Sequence, residues 1–316
     1  MQGTTSSGGR RLRDETSRGE LRLSRLSQTW AVIRYELTWD LRKKRTYIVL
    51  GLFLFAAFYF GYLFPITTGK SSITGPNQLG VTISSDLWWV LVHNLAFNTF
   101  MSGLFPLFIG GFVSADSLAS EFNRGTVVPM LSQPVRLVEV YLGKFLAKFL
   151  LLLAISILFT LVVLTGSEVS VGAQTHLDMF PLLVFAEFGA FLEFAALTFF
   201  IGSFSRSGAM VLGVLIAVFF MITATVLILG LQYGFQESMF FLPVANADFL
   251  FTVVPWYIVQ PWGVMVLQGS MLLAPTVPVV VTVISALQYV VVGLAVTIVV
   301  PLVAGYYLFR RAEVKG

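Results

Sequence analysis

Long apolar runs alternate with short polar ones along this chain. Six of the runs reach the roughly 20 residues a helix needs to cross a bilayer: Thr46–Phe64, Trp88–Val113, Tyr141–Thr165, Asp178–Gly202, Ala209–Leu231 and Val279–Phe309. Before the first run, residues 28–45 carry Trp30, Ile33, Leu37 and Leu41 on one helical stripe, with Val32, Tyr35 and Trp39 opposite. That pattern predicts an interfacial helix with one stripe toward lipid and the other toward protein. Residues 1–27 are rich in Gly, Ser, Thr and Arg and have too few apolar residues to bury, so a disordered basic tail is expected there. It does not read as a secretory signal, because the first apolar run begins only near Tyr47.

The segment from Phe112 to Lys148 is polar between two apolar neighbours, and its residues spell out a small folded device. Ser114 to Arg124 has the length of three helical turns, and Gly125 follows where a helix end favours positive φ. Thr126 can cap a second, shorter helix, within which Pro129 falls among N–H groups that lack intrahelical partners in any case. Pro134 stops that helix, and Val135-Arg136 lead into the next apolar run, whose first turn holds Gly143-Lys144.

Composition and charge then fix the class and its orientation. With 57% hydrophobic and 11% charged residues, against about a quarter charged in soluble domains, the chain is an integral membrane protein of the all-α class. An N-terminus on the cytoplasmic side places nineteen of the twenty Lys and Arg inside, leaving only Lys70 outside. Both termini, including residues 310–316, are therefore expected to be cytoplasmic. The net charge of +4 is a topology signal, and nucleic-acid binding has no support. All six tryptophans fall near the expected interfaces, as an aromatic belt would require. Residues 232–278 are apolar without Lys or Arg, and Phe249–Leu272 has the length of a seventh span. That span would carry Arg310, Arg311 and Lys315 outside and be interrupted by Pro255 and Pro261, so short re-entrant or interfacial helices on the outer face are expected instead.

The order Glu121, Arg124-Gly125-Thr126, Leu131-Ser132-Gln133-Pro134-Val135-Arg136 and Gly143-Lys144 resembles the permeases of type-2 ATP-binding-cassette (ABC) transporters. The resemblance runs from about Trp30 to Lys315. It implies that residues 114–140 form a cytoplasmic coupling helix docking on a separate ABC ATPase subunit, through Glu121, Arg124, Gly125, Thr126, Pro134, Arg136 and Lys144. It also implies an elbow helix before the first span, a transmembrane domain over residues 46–309, a second permease chain, identical or related, in the same bilayer, and location in the plasma membrane. Many members carry an acidic residue near the position of Pro129, so this chain departs from the pattern there.

Charges inside the spans are few. Glu187 and Glu193 lie mid-way along the fourth run, where an ionised group costs about 3 kcal/mol on insertion scales. Either one lines a translocation path or each is a protonated or hydrogen-bonded group at a helix contact. His93 reads as hydrogen-bonded packing, and Gly103, Pro106, Gly110 and Gly111 as sites where the second run bends and packs closely. No catalytic machinery is visible. Gly69-Lys70-Ser71 lacks the glycine of a phosphate-binding loop, since position 64 is Phe, and two histidines without cysteine make no metal constellation. The expectation is a permease subunit of an exporter that binds no cofactor itself, with ATP and Mg on the partner subunit. Two other readings stand beside it. One is a gradient-driven secondary transporter or ion-conducting protein using Glu187 and Glu193. The other is a non-transporting membrane anchor.

Overall fold

The computed structural model describes residues 27–68, 85–90, 92, 104–119, 136–205, 207–233, 240–259, 262, 264–267 and 279–314. Helix dominates. Helix α1 covers residues 27–42, and Lys43 interrupts it in an extended conformation (φ −76°, ψ 124°). Helix α2 follows as Lys44–Phe58, passes through a π-helical turn Tyr59–Leu63 and ends as Phe64–Thr68. Next come α3 (Leu104–Ala119), α4 (Leu137–Ser170), α5 (Leu177–Gly202), α6 (Gly208–Tyr233), α7 (Pro243–Val259) and α8 (Val283–Val314). Among the described residues, α2, α4, α5, α6 and α8 are long and apolar enough to cross a membrane. The middle of the expected second span, residues 93–103 with His93 and Gly103, lies outside the described residues, and its two ends are described at residues 88–90 and in α3.

Helix α5 is the centre of the packing. Over its most apolar stretch 83% of residues are buried, against 22–39% for the other four spans. Its sequence explains why: Ala186, Gly189, Ala190, Ala195 and Ala196 are small enough for neighbouring helices to come close on several sides. Helices α3, α4, α6, α7 and α8 all pack on it. A Cβ placed on Gly110 of α3 would sit 2.2 Å from the Phe191 carbonyl oxygen, so that contact exists only because the residue is glycine. Gly110 and Gly111 belong to a second π-helical turn, Leu107–Gly111, directly after Pro106. The expected bend of this helix takes the form of that widened turn.

The first π-helical turn meets α4 in the same manner. A Cβ on Gly61 would lie 2.9 Å from the Val163 carbonyl oxygen, and one on Gly166 would lie 2.9 Å from the Gly61 carbonyl carbon. The Ser170 hydroxyl donates to the Gly61 carbonyl at 3.0 Å. At this end of α4 a polar clasp also ties the α4–α5 loop to residues 85–90. The Trp89 backbone N–H donates to Gln174 Oε1 (3.1 Å), its indole N–H donates to the Thr175 carbonyl (3.0 Å), and the Thr175 N–H donates to the Asp86 carbonyl (2.8 Å).

Three expectations need correction. Trp88 and Trp89 are buried within the protein rather than facing lipid, whereas Trp30 and Trp262 are exposed. The indole N–H of Trp89 is satisfied by the clasp, which lets the ring be buried. In the segment 232–278 the structure describes one helix, α7, but Val279–Thr282 is not the start of the last span. It is a strand, β2, paired antiparallel with β1 (Val264–Leu267) in the register Val264 to Thr282 and Leu267 to Val279. The run Val279-Val280-Val281-Thr282 is entirely β-branched, which favours a strand over a helical first turn. The ribbon adds to a helical architecture without changing its class. Finally, α4 has 34 residues against the 25 of the expected span, or about 51 Å at 1.5 Å per residue, far longer than a hydrocarbon core of about 30 Å.

Because the Gly110 contact is with backbone, Gly110→Ala should lower stability by about 1–3 kcal/mol, read as a lower thermal midpoint of the purified protein in detergent. Gly51, with no atom within 4 Å of its would-be Cβ, is the control: Gly51→Ala should leave the midpoint unchanged or slightly raised.

Candidate functional site

The extra length of α4 lies partly at its N-terminal end, next to the segment expected to couple to a partner. Arg136 is the N-cap residue (φ −76°, ψ 143°), exposed, with its backbone N–H donating to Glu139 Oε2 at 3.2 Å. Glu139 also sits in the first turn, where a carboxylate favours the helix dipole. Glu121, Arg124, Gly125, Thr126 and Pro134 lie outside the described residues. On the near side, α3 runs on as helix to Ala119, with the Ala115 N–H donating to the Gly111 carbonyl at 2.8 Å, so no break separates the second span from the start of the polar segment.

Lys144 points into the protein. It is 1% exposed and forms an ion pair with Glu36 of α1, and one turn further Lys148 pairs with Asp40. All four side chains are 5% exposed or less. The other carboxylate oxygen of Asp40 takes a hydrogen bond from Lys43 at 2.9 Å. One turn before Glu36, Val32 rests on Gly143, where a Cβ would come within 2.9 Å of Val32 Cγ1. Val32, Glu36 and Asp40 on α1 thus meet Gly143, Lys144 and Lys148 on α4 in the same chain direction. The two helices run side by side over two turns.

This reverses part of the reading of α1. Its inward row is Ile33, Glu36 and Asp40, flanked by half-buried Val32 and Leu37, while Trp30, Tyr35 and Leu41 are exposed. The packed face draws on parts of both apolar stripes (Ile33, Leu37 and Val32), and hydrophobicity alone did not show that charge holds it. The signal was present as two four-residue spacings, Glu36/Asp40 and Lys144/Lys148, each a match for one helical turn. For Lys144 the burial also means that its charge is satisfied within the chain, whereas Arg136 is exposed to whatever docks beside it.

A second ionic contact gathers the remaining helices at this end. Arg45, in the first turn of α2, pairs with Asp116 of α3. Asp116 in turn lies against Gly208 at the N-terminus of α6, so close that any Cβ there would collide with its Oδ1. A carboxylate at that position also suits the positive end of the α6 dipole. Charges therefore fasten α1 to α4 and α2 to α3 near the segment 120–135 in the sequence, and α6 closes on the second pair at Asp116.

The interior carboxylates behave differently. Glu187 and Glu193 are fully buried and reach different neighbours. Thr160 of α4 donates to Glu187 Oε2 at 3.0 Å, and Thr297 of α8 donates to Glu193 Oε1 at 2.8 Å. The roughly 120° between them on α5 points one at each side, so the structure does not bring them together. A buried amide missed from the sequence acts in the same way: Asn246 Nδ2 donates to the carbonyls of Phe240 (2.8 Å) and Val290 (3.0 Å), tying α7 to α8 where Gly293 leaves room for it.

The fold and the ionic cluster define a multi-pass helical membrane protein whose charges concentrate at one end. The chain belongs to the ABC-2 transporter permeases: the family model described as ABC-2 family transporter protein matches residues 30–314. Among curated proteins, none matches the chain. Permeases of this family work with an ATPase subunit.

Two predictions follow from the two kinds of buried charge. Burial raises the Asp40 carboxyl, but Lys148 and Lys43 beside it lower it further, leaving it below its ordinary value of 3.8. A depressed value means that Asp40 stabilises the fold at all pH above the ordinary carboxylate range and loses that contribution as pH falls through the lowered value. The thermal midpoint should thus be flat from neutral pH to about pH 5 as far as Asp40 is concerned, then fall below about pH 3.8, and Asp40→Asn should lower the neutral-pH midpoint and flatten the acid limb. For Glu193, Gln retains an acceptor for Thr297, so Glu193→Gln should stay close to wild type in midpoint, while Glu193→Ala should lose about 1–3 kcal/mol. A Glu193→Gln protein that folds normally yet loses transport-coupled ATPase activity would instead assign this residue to the path.

Proposed function

We propose that this permease is one of two such chains in an exporter of the plasma membrane, with cytoplasmic termini, driven by separate ATPase subunits that dock on residues 114–140. The observation that carries the reading is the ladder Glu36–Lys144 and Asp40–Lys148 at the foot of α4, next in the chain to that segment. A force applied at residues 120–135 enters α4 at Leu137. Because α4 is a single uninterrupted helix, and because the ladder fixes α1 to it, the force moves both helices as a unit and reaches α2 through Lys43. The Arg45–Asp116 contact couples the same movement to α3. The work expected of this chain is mechanical: it binds neither ATP nor Mg, both of which belong to the partner subunit, and it catalyses no reaction of its own. Substrate would pass between the two permeases as these helices tilt.

The gradient-driven reading is less well supported. Each interior glutamate is engaged by a threonine of an adjacent helix, an arrangement suited to fixing helix register.

Charge reversal separates docking from transmission. With the full complex purified from its native membrane and each subunit identified by mass, reversing Glu121 and Arg136 together should remove the ATPase. Lys144→Glu should retain the ATPase but uncouple its activity from the permease. The swap Glu36→Lys with Lys144→Glu should recover at least half of the coupling, since breaking a buried pair costs about 3–5 kcal/mol and restoring it removes that loss. A Lys144→Glu complex with normal coupling would exclude transmission through the ladder, and a chain that purifies without any ATPase would remove the exporter reading altogether.

A further inference from the structure

The sequence Arg42-Lys43-Lys44-Arg45 places four cations where the chain enters α2, and the structure divides them. Lys43 is taken by Asp40 and Arg45 by Asp116. Arg42 and Lys44 are exposed and have no ion-pair partner among the described residues. Lys44 is one helical turn before Ile48, and from there a groove of about 740 Å³ follows α2 toward Tyr59 between α2 and α3. Its walls include Leu52, Phe55, Phe105, Phe108 and Phe112, and every lining residue is apolar or aromatic. Ile48, Leu52 and Phe55 are each more than 60% exposed, so the groove opens sideways rather than into the core. Phe112 lies one turn from Asp116 on α3, which puts the Arg45–Asp116 contact at the same end as Lys44.

We propose that this groove seats an acyl chain of an anionic phospholipid of the surrounding bilayer, with the phosphate held at Arg42 and Lys44. Dimensions favour this occupant. From Ile48 to Tyr59 is eleven residues, about 17 Å of helix, which is close to half of the roughly 30 Å hydrocarbon core and therefore the depth of one leaflet. Charge sets the class of headgroup, because exposed Lys and Arg beside a membrane-entering helix attract anionic lipid. The site requires only that the protein spans a membrane, and it stands or falls independently of ATPase coupling.

The test uses the full chain reconstituted in vesicles of equal parts dioleoylphosphatidylglycerol and dioleoylphosphatidylcholine, followed by mild solubilisation and native mass spectrometry of the retained lipid. Wild type should retain the glycerol lipid over the choline lipid by roughly ten-fold. Arg42→Glu with Lys44→Glu should bring the ratio to parity or below, and Ala56→Trp, which fills the groove, should reduce retention of both lipids. Equal retention of the two lipids by wild type would overturn the proposal, as would an unchanged ratio in the charge-reversed protein. Leu52→Cys provides a separate check in a chain that has no cysteine. Disulfide-linked pairs formed in the membrane at this position would show that a second copy covers the groove, also overturning the proposal, whereas a monomeric product supports it.

Discussion

Four charged side chains buried between two helices impose the condition on which the geometry of one end of this molecule depends. A carboxylate or ammonium taken out of water without its partner is strongly destabilising, whereas a matched pair roughly offsets the loss of hydration. Glu36 and Asp40 are one turn apart, as are Lys144 and Lys148, so both pairs close only when α1 lies alongside α4 in one register and one direction. Sliding α1 by a turn would leave a carboxylate at one end of the ladder and an ammonium at the other without a partner. The ladder is thus a device for position more than for stability. Gly143 completes it by letting Val32 come within contact distance. The extended residue Lys43 then turns the chain from α1 into α2 while its own ammonium neutralises the remaining side of Asp40.

The middle of the bundle obeys a different rule. Around α5 there is little hydrophobic driving force between helices, because lipid is as apolar as they are, and close packing at small residues takes over. Gly110, Gly189 and Gly293 mark three such approaches. Against these smooth surfaces, single polar contacts specify rotation and height: Thr160 on Glu187, Thr297 on Glu193 and Asn246 on the Val290 carbonyl. Each joins a different pair of helices. Isolated polar contacts thus set the centre of the bundle, whereas a multi-point ionic cluster holds one end of it.

Much of this was legible in the sequence. Hydropathy located the long apolar helices to within a few residues at most ends, since nothing but a helix satisfies backbone groups over such runs. The family could be named from the spacing of Glu121, Gly125-Thr126, Pro134 and Gly143-Lys144. What was not legible was pairing. Glu36 and Lys144 are 108 residues apart, and a hydrophobic-stripe reading of α1 counts their partners as solvent-facing by default. The same averaging left the burial of Trp88 and Trp89 unseen, because composition cannot show the Gln174 and Thr175 groups that satisfy Trp89 inside the protein. The π-helical turns and the strand β2 were missed for a related reason: both depend on which backbone lies opposite.

The division of Arg42-Lys43-Lys44-Arg45 bears on how topology signals should be read. Counting Lys and Arg along the sequence gives a strong asymmetry between the two expected sides, but the count treats all basic residues alike. In the folded chain Lys43, Arg45, Lys144 and Lys148 are each matched to a carboxylate, so they contribute little field at the membrane surface once folding is complete. Arg42 and Lys44, exposed at the same level, keep theirs. Orientation is decided as the chain inserts, before the partners on α1, α3 and α4 have met, when every cation still counts. The same residues can therefore serve twice in succession: first as an orientation signal during insertion, and then, after pairing, as the fasteners of one end of the helices.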